Sequence, residues 1–423
     1  MSNAPATDRY GNPIDPIVRY ARGGILKGTD EEVKRMLRAR QMVGERVRDK
    51  GKESVYDLSG MNRGSGLGAG EVAHLTSHVP FFERFEGRTE PLALKHMGAD
   101  PERHRALILN RVSAANFIAL TTVLNSGERV FGFAPAGGVT HPSVVRPIAM
   151  AGGRFSEYFS FADLERAWSA EGAPRLLIIT PITASKKHLD FGDFKRALAL
   201  PRAPHTLVYV DDAHMASRIG FFGEPRTFEV GDIDLAVCSA DKHVAGPRAG
   251  VFVGRPDLVM AIGSRAYELG LEAQAGQYVG VANALRDFDP EVIRRAGELA
   301  KQLVEVLATQ YGARAYLGGP GVSIAGDDVL EIAREQKGSA EKPALVAVEA
   351  AGLVAMEMLE QDGLLTIGAV AMPGSAPALR LMMYPDGHKL GVERIAASVE
   401  NGLSRLTEVI DDVDAARAQL LGE

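Results

Sequence analysis

Two short apolar runs end in residues that can do chemistry. Residues 207–210 (Leu-Val-Tyr-Val) are followed by Asp211, Asp212, Ala213 and His214, and residues 235–238 (Leu-Ala-Val-Cys) by Ser239, Ala240, Asp241 and Lys242. Continuous apolar runs of this length, separated by helical patterns, read as strands buried on both faces of a parallel sheet. Ligands of such sheets sit beyond the carboxyl ends of the strands. The two runs thus deliver a carboxylate, an imidazole, a hydroxyl and an amine to one end of the sheet.

Pyridoxal phosphate (PLP) needs such a set. A lysine forms the Schiff base, and a carboxylate pairs with the pyridinium nitrogen so that the ring can take up electrons. Lys242 and Asp211 are the candidates for these roles. His214, three residues past Asp211, is placed to bond the ring hydroxyl, and Ser239, three before Lys242, to reach the phosphate. A phosphate also needs exposed amides at a helix N-terminus. Val112, Ser113 and Ala114 open an apolar helical pattern with small residues that permit close approach. His141, in Thr-His-Pro-Ser, is a candidate for stacking on the ring. Arg380, in a predicted strand at 378–383, can hold a carboxylate in two parallel hydrogen bonds. With Ser59 or Asn62 it is assigned to the substrate carboxylate, and His74 or His78 is assigned to protonating a leaving group.

The elements that must position these residues are read from periodicity. Helices are expected at 30–48, 113–124, 290–311 and 343–361, and from 391 onward. Strands are expected at 129–134, 175–180, 207–210 and 235–238. The fold class is α/β, with a large domain built on a mostly parallel sheet and a small C-terminal α+β domain. The expected division is an N-terminal arm over 1–60, a large PLP-binding domain over 61–285, and a linker helix with the small domain over 286–423. The chain of 423 residues carries a net charge of −6 and one cysteine, Cys238. No basic stripe marks a nucleic-acid binder, and no apolar run is long enough to span a bilayer. The first ten residues lack the apolar core of a signal peptide. The single cysteine excludes an internal disulfide and suits a reducing cytoplasm. No metal is expected. A hydrolase binding metal through Asp211, Asp212 and His214 is the main rival, and it leaves Lys242, His141 and Arg380 without a role. A PLP-binding regulator without turnover is a second rival.

From about Ser54 to Leu406 the chain resembles fold-type-I PLP enzymes, of the aspartate aminotransferase architecture with its seven-stranded sheet. Within that group it is similar to the tryptophanase and tyrosine phenol-lyase family of β-eliminating lyases. The likeness is carried by Asp57-Leu58-Ser59-Gly60, Val112 to Asn116, Ser239 to Lys242, Tyr267 to Gly276, Gly352 to Glu357 and Leu379 to Pro385. It implies that Ser185 stands near the ring, where the lyases have asparagine. Asp211 to His214 and Thr140 to Ser143 resemble the α-oxoamine synthases, and Ser239 to Gly250 resembles the selenocysteine synthases. Met358 and Val112 stand where the lyases carry arginines, which points away from phenol or indole as leaving group. The resemblance implies an amino acid substrate and β- or γ-elimination or replacement. The alternatives are carbon–carbon bond formation, including γ-replacement on a sulfonium amino acid, and transamination. It also implies a homodimer or homotetramer.

Overall fold

The computed structural model describes residues 6–85 and 87–423; the first five residues of the polar N-terminal stretch lie outside it. The chain forms two units, one of residues 61–293 and the other of residues 1–60 with 294–423.

The first unit is built on seven strands: β1 (Arg105–Leu109), β2 (Arg129–Phe133), β3 (Arg154–Tyr158), β4 (Leu176–Ile179), β5 (Leu207–Asp211), β6 (Leu235–Ser239) and β7 (Gly250–Gly254). Their order across the sheet is β1-β7-β6-β5-β4-β2-β3. Only β7 runs against the others. The central strands read as unbroken apolar runs because both of their faces are covered. Phe131, Leu177, Val208 and Ala236 pack into one core, and their immediate neighbours Val130, Ile178, Tyr209 and Val237 into another. Successive side chains of a strand point to opposite faces, so a period-two pattern in burial replaces one in polarity.

Helices cover each face. On one side lie α1 (Val112–Val123), α2 (Pro142–Met150) and, further along the chain, Pro256–Glu268. On the other lie α3 (Phe161–Glu171), α4 (Phe191–Leu198) and α5 (Ala275–Arg286). Burying each large aliphatic or aromatic side chain of these layers contributes about 1.5–3 kcal/mol. Four strands of the sheet coincide with the expected runs. The others, β1, β3 and β7, lie at or next to the sheet edge, where β3 alternates between half-buried and exposed positions.

The second unit contains an antiparallel sheet of β8 (Ala315–Leu317), β9 (Gly321–Ala325) and β10 (Ala378–Met382), in the order β10-β9-β8. Against it pack α6 (Gly326–Lys337) and the largely buried α7 (Ala347–Asp362). The first sixty residues belong to this unit. Their helix Thr29–Lys50 is followed by Tyr56–Asp57, which pairs in parallel with Leu364–Leu365. Glu349, fully buried on α7, ties down the chain ahead of that helix. Its Oε1 accepts from the amides of Ile25 at 2.7 Å and Leu26 at 2.8 Å, and its Oε2 from Val346 at 3.1 Å. Each buried amide left without a partner costs about 1–3 kcal/mol. Glu349→Ala is therefore expected to destabilise this unit by roughly 3 kcal/mol or more. Amide exchange at Ile25 and Leu26 will report it, and unchanged protection there would refute the assignment.

Candidate active site

The carboxyl ends of β1, β2, β4, β5 and β6 open on a cleft. Val112 and Ser113 reach it from the start of α1, His141 and Ser143 from the start of α2, and Thr180, Ile182 and Ala184 from the loop after β4. Asp211, Ala213, His214 and Lys242 complete its wall. Chain direction in the sheet is the cause: parallel strands present their following loops at one end.

Asp211 is the last residue of β5 and is 4% exposed. It shares the strand face of Tyr209, the face covered by α1, and both meet Asn116 there. Asn116 donates through Nδ2 to Asp211 Oδ2 at 3.4 Å and to Ser143 Oγ at 3.1 Å, while Tyr209 donates to its Oδ1. Ser143 Oγ lies 2.8 Å from His141 Nδ1, which also accepts from the Ser143 amide at 3.1 Å. A hydrogen-bonded chain thus joins His141 to Asp211. Asp211 Oδ1 is buried with no hydrogen-bond partner. Burial drives this carboxyl up to about 6; the Lys242 charge opposes the rise, Asp212 adds to it, and the Asn116 hydrogen bond opposes it.

Lys242 follows β6 in a loop held by main-chain contacts. It bridges Met61, the Asn62 amide donates to the Asp241 carbonyl at 3.0 Å, and the Gly246 amide donates to the Ala240 carbonyl at 3.1 Å. A Cβ at Gly246 would stand 2.5 Å from that carbonyl, so the turn requires glycine. Ser239 donates its hydroxyl hydrogen to Asp241 Oδ1 at 2.6 Å. Lys186 Nζ lies 3.0 Å from His214 Nδ1 and 3.2 Å from Nε2. Lys186 is buried and adopts φ 65°, a left-handed conformation uncommon outside glycine. His243, also buried, is held well below the usual histidine range by burial and by the charges of Lys186 and Lys242.

The structure brings together Val112, Ser113, His141, Asp211, His214 and Lys242. Ala114 and Ser239 are absent from the cleft wall, and the Ser185 hydroxyl contacts Thr183 Oγ1 at 3.0 Å. Asn62 meets the Lys242 loop through its main chain, while its side chain accepts from the Gly64 amide at 3.0 Å. The rings of His74 and His78 pack on Phe85 and Phe82. Ser59 and Arg380 belong to the second unit. Sequence reasoning misses Asn116 and Lys186. For Asn116 a signal exists: it is the one amide in an otherwise small and apolar helix start.

Asp212, which the metal-hydrolase reading needs, is committed elsewhere. Its carboxylate takes Arg218 Nη2 at 2.6 Å, Arg218 Nε at 3.0 Å and the Thr227 hydroxyl at 2.7 Å. Among the described residues, no group of three or more His, Cys, Asp or Glu side chains is arranged to hold a metal ion. No helix among them is long and apolar enough to cross a membrane.

The fold is that of the type-I PLP transferases. The chain is similar to ureidoglycine-glyoxylate aminotransferase from Bacillus subtilis, with a TM-score of 0.54 and 14% identity over 85% of this chain and 96% of that one. It is also similar to histidinol-phosphate aminotransferase from Sinorhizobium meliloti in complex with pyridoxal-5'-phosphate, with a TM-score of 0.56 and 17% identity over 86% and 95% of the two chains. In sequence it is similar to a UPF0425 pyridoxal phosphate-dependent protein of Methanothermobacter thermautotrophicus, at 27% identity over 401 residues, 94% of this chain and all of that one. No family model matches the chain.

Proposed function

We propose that this protein is a PLP-dependent enzyme that acts on an amino acid by carbanion chemistry, eliminating or replacing a β or γ substituent. The observation that carries the reading is the pairing of Lys242 with Asp211 in one cleft, with Asp211 Oδ1 buried and lacking a hydrogen-bond partner. A buried carboxylate oxygen without a partner costs stability, and a protonated ring nitrogen would supply the missing donor. The similarity to a relative named as PLP-dependent supports the same cofactor.

The residues fit the group. Lys242 would hold its aldehyde carbon, Asp211 its ring nitrogen and His141 its face. The first-turn amides of α1 would hold the phosphate: Arg111 makes no side-chain cap there, and such amides have no partner within the helix. When bound, the cofactor serves as an electron sink for a carbanion. Lys242 Nζ moves the proton at the substrate α-carbon. Asn116 positions Asp211 and, through Ser143, the ring of His141. Lys186 donates to His214 and so orients that imidazole.

Borohydride treatment of the purified protein tests the cofactor. It should leave a phosphopyridoxyl group on Lys242, and a colourless protein without the adduct would overturn the reading. Release of keto acid and ammonia from an amino acid alone would support elimination. Turnover that needs an added oxo acid would indicate transamination instead, and turnover that needs an acyl thioester would indicate carbon–carbon bond formation.

The state of Asp211 gives a pH test. Its carboxyl holds a proton up to about pH 6 in the folded protein, against an ordinary value of 3.8. A carboxyl raised on folding disfavours the native state once the unfolded chain has released its proton. Without cofactor, stability is therefore expected to fall by about 3 kcal/mol as pH rises from about 4 through 6. Asp211→Asn should remove this component, read as the difference between the urea midpoints of the two proteins. Cofactor binding should release the proton in the same window, so its affinity should rise with pH in the wild type relative to the variant.

A further inference from the structure

Lys242 can act only as a neutral amine. Attack on an aldehyde and removal of a proton both use its lone pair, whereas an ordinary lysine is an ammonium at neutral pH. The site must therefore shift the balance toward the free base. Lys242 is half-buried, so desolvation by itself is incomplete. A second cation close by works in the same direction, because like charges disfavour each other.

The loop after β4 carries such a cation. Residues 182–188 form a tight hairpin. Ile182 bridges His188, the Thr183 amide donates to the Lys187 carbonyl at 3.0 Å, and the Lys186 amide donates to the Thr183 carbonyl at 3.0 Å. Lys186 takes the left-handed position of the turn, with φ 65°. A Cβ is disfavoured there, and glycine or asparagine is usual. A long side chain persists in that conformation where its surroundings over-determine it, and such residues cluster at functional sites. The turn leaves Lys186 8% exposed, with Nζ 3.0 Å from His214 Nδ1 and 3.2 Å from Nε2. His214 shares the cleft wall with Lys242. An imidazole nitrogen without a proton accepts from an ammonium, and an acceptor for the charged form keeps Lys186 charged.

Both amines act on one buried ring. His243 follows Lys242 in the chain, and its Nδ1 lies 3.0 Å from Ser217 Oγ. Burial first, then the charges of Lys186 and Lys242, hold it well below the usual histidine range. The carboxylates of this region are largely engaged. Asp212 is paired with Arg218. Asp241 accepts from the Ser239 hydroxyl and stands 3.9 Å from Arg63 Nε. Asp211 is the one carboxylate of the cleft wall, which also carries His141. Its negative charge favours the Lys242 ammonium, and Lys186 opposes it.

We propose that Lys186 is a positioning residue of this site that acts by charge: its ammonium, held by His214, lowers the proton affinity of Lys242 and keeps that amine ready to react. The proposal rests on the reading of Lys242 as the cofactor lysine.

Competitive labelling of the full-length, cofactor-free protein tests it. A pulse of acetic anhydride acylates neutral amines, and mass spectrometry of the digest gives the rate at Lys242 across a range of pH. The pH midpoint of that rate should be about one unit higher in Lys186→Met than in wild type, the scale of one neighbouring charge. Lys186→Gly removes the same charge and suits the left-handed turn. It should show the same rise, and it covers the case of a methionine variant that does not fold. Lys186→Arg keeps the charge and should stay near the wild-type midpoint. So should Lys187→Met, which removes a charge from the same loop. A change of access alone would alter the plateau rate and leave the midpoint in place, so the midpoint separates the electrostatic role from a structural one. An unchanged or lower midpoint in the neutral variants would overturn the proposal. So would a midpoint in Lys186→Arg as high as theirs, or an equal rise in Lys187→Met. The labelling needs no cofactor, so failure of the PLP reading would show separately, as a missing borohydride adduct in the wild type.

Discussion

Lys242→Ala will yield a folded protein that forms no borohydride adduct at position 242 and turns over an amino acid at least about 10²–10⁴-fold more slowly, the range lost with a positioned base. The fold should survive because the loop is held by its main chain. The bridge to Met61, the Asn62 amide on the Asp241 carbonyl and the Gly246 amide on the Ala240 carbonyl are all untouched by truncation of the lysine. The cost falls on chemistry, since the amine is both the covalent anchor and the proposed base. Mass spectrometry of the reduced, digested protein gives the adduct, and single-turnover kinetics gives the rate. An adduct on another lysine of the borohydride-reduced wild type, such as Lys186, would defeat the assignment. Undiminished turnover in the variant would defeat it as well.

The second large effect is structural. Arg218→Met is expected to lower stability by about 3–5 kcal/mol, because it strands a buried carboxylate. Arg218 is fully buried, donates to Asp212 at 2.6 Å and to Glu224 at 2.8 Å, and lies over the ring of Phe194. Methionine can keep part of the packing but supplies no donor. Asp212 would then sit uncompensated next to Asp211, whose own carboxyl it already pushes up. Urea unfolding at neutral pH checks the magnitude. A double variant, Arg218→Met with Asp212→Asn, should recover a good part of the loss, because it removes the charge as well as its partner. A single variant as stable as wild type would mean that Asp212 finds another cation, and the role given to Arg218 would fall.

Much of this site is legible as a one-dimensional pattern. The runs ending in Asp211 and Lys242 are unbroken because both sheet faces are covered, and a parallel sheet gathers the loops after its strands at one end. Strands without that signature are harder to read. In β3, Arg-Phe-Ser-Glu-Tyr is half-exposed, and β7 is bounded by glycines. Both are less apolar or shorter in pattern than the central runs, so periodicity marks them weakly. Lys186 is obscured for a different reason. A lysine after a strand is usually solvated, and only its left-handed backbone turn and its contact with His214 bury this one against a residue of the cleft wall.

Lys242, Asp211, His214 and His141 were thus determined by the sequence itself, since their places depend on short-range order: which residue comes after which strand. The tertiary structure alone decided what each of them touches. Asn116 joins Asp211 across 95 positions of chain and Ser143 across 27. Glu349 holds amides more than 300 residues away and so draws the first sixty residues into the unit that contains Arg380. Ser239 bonds Asp241, and Asp212 bonds Arg218, although composition marked these groups as available for ligands. Hydrogen-bond partners are chosen by proximity in three dimensions, under the demand that buried polar groups be satisfied. That demand has no period along the chain, so no local pattern can reveal it.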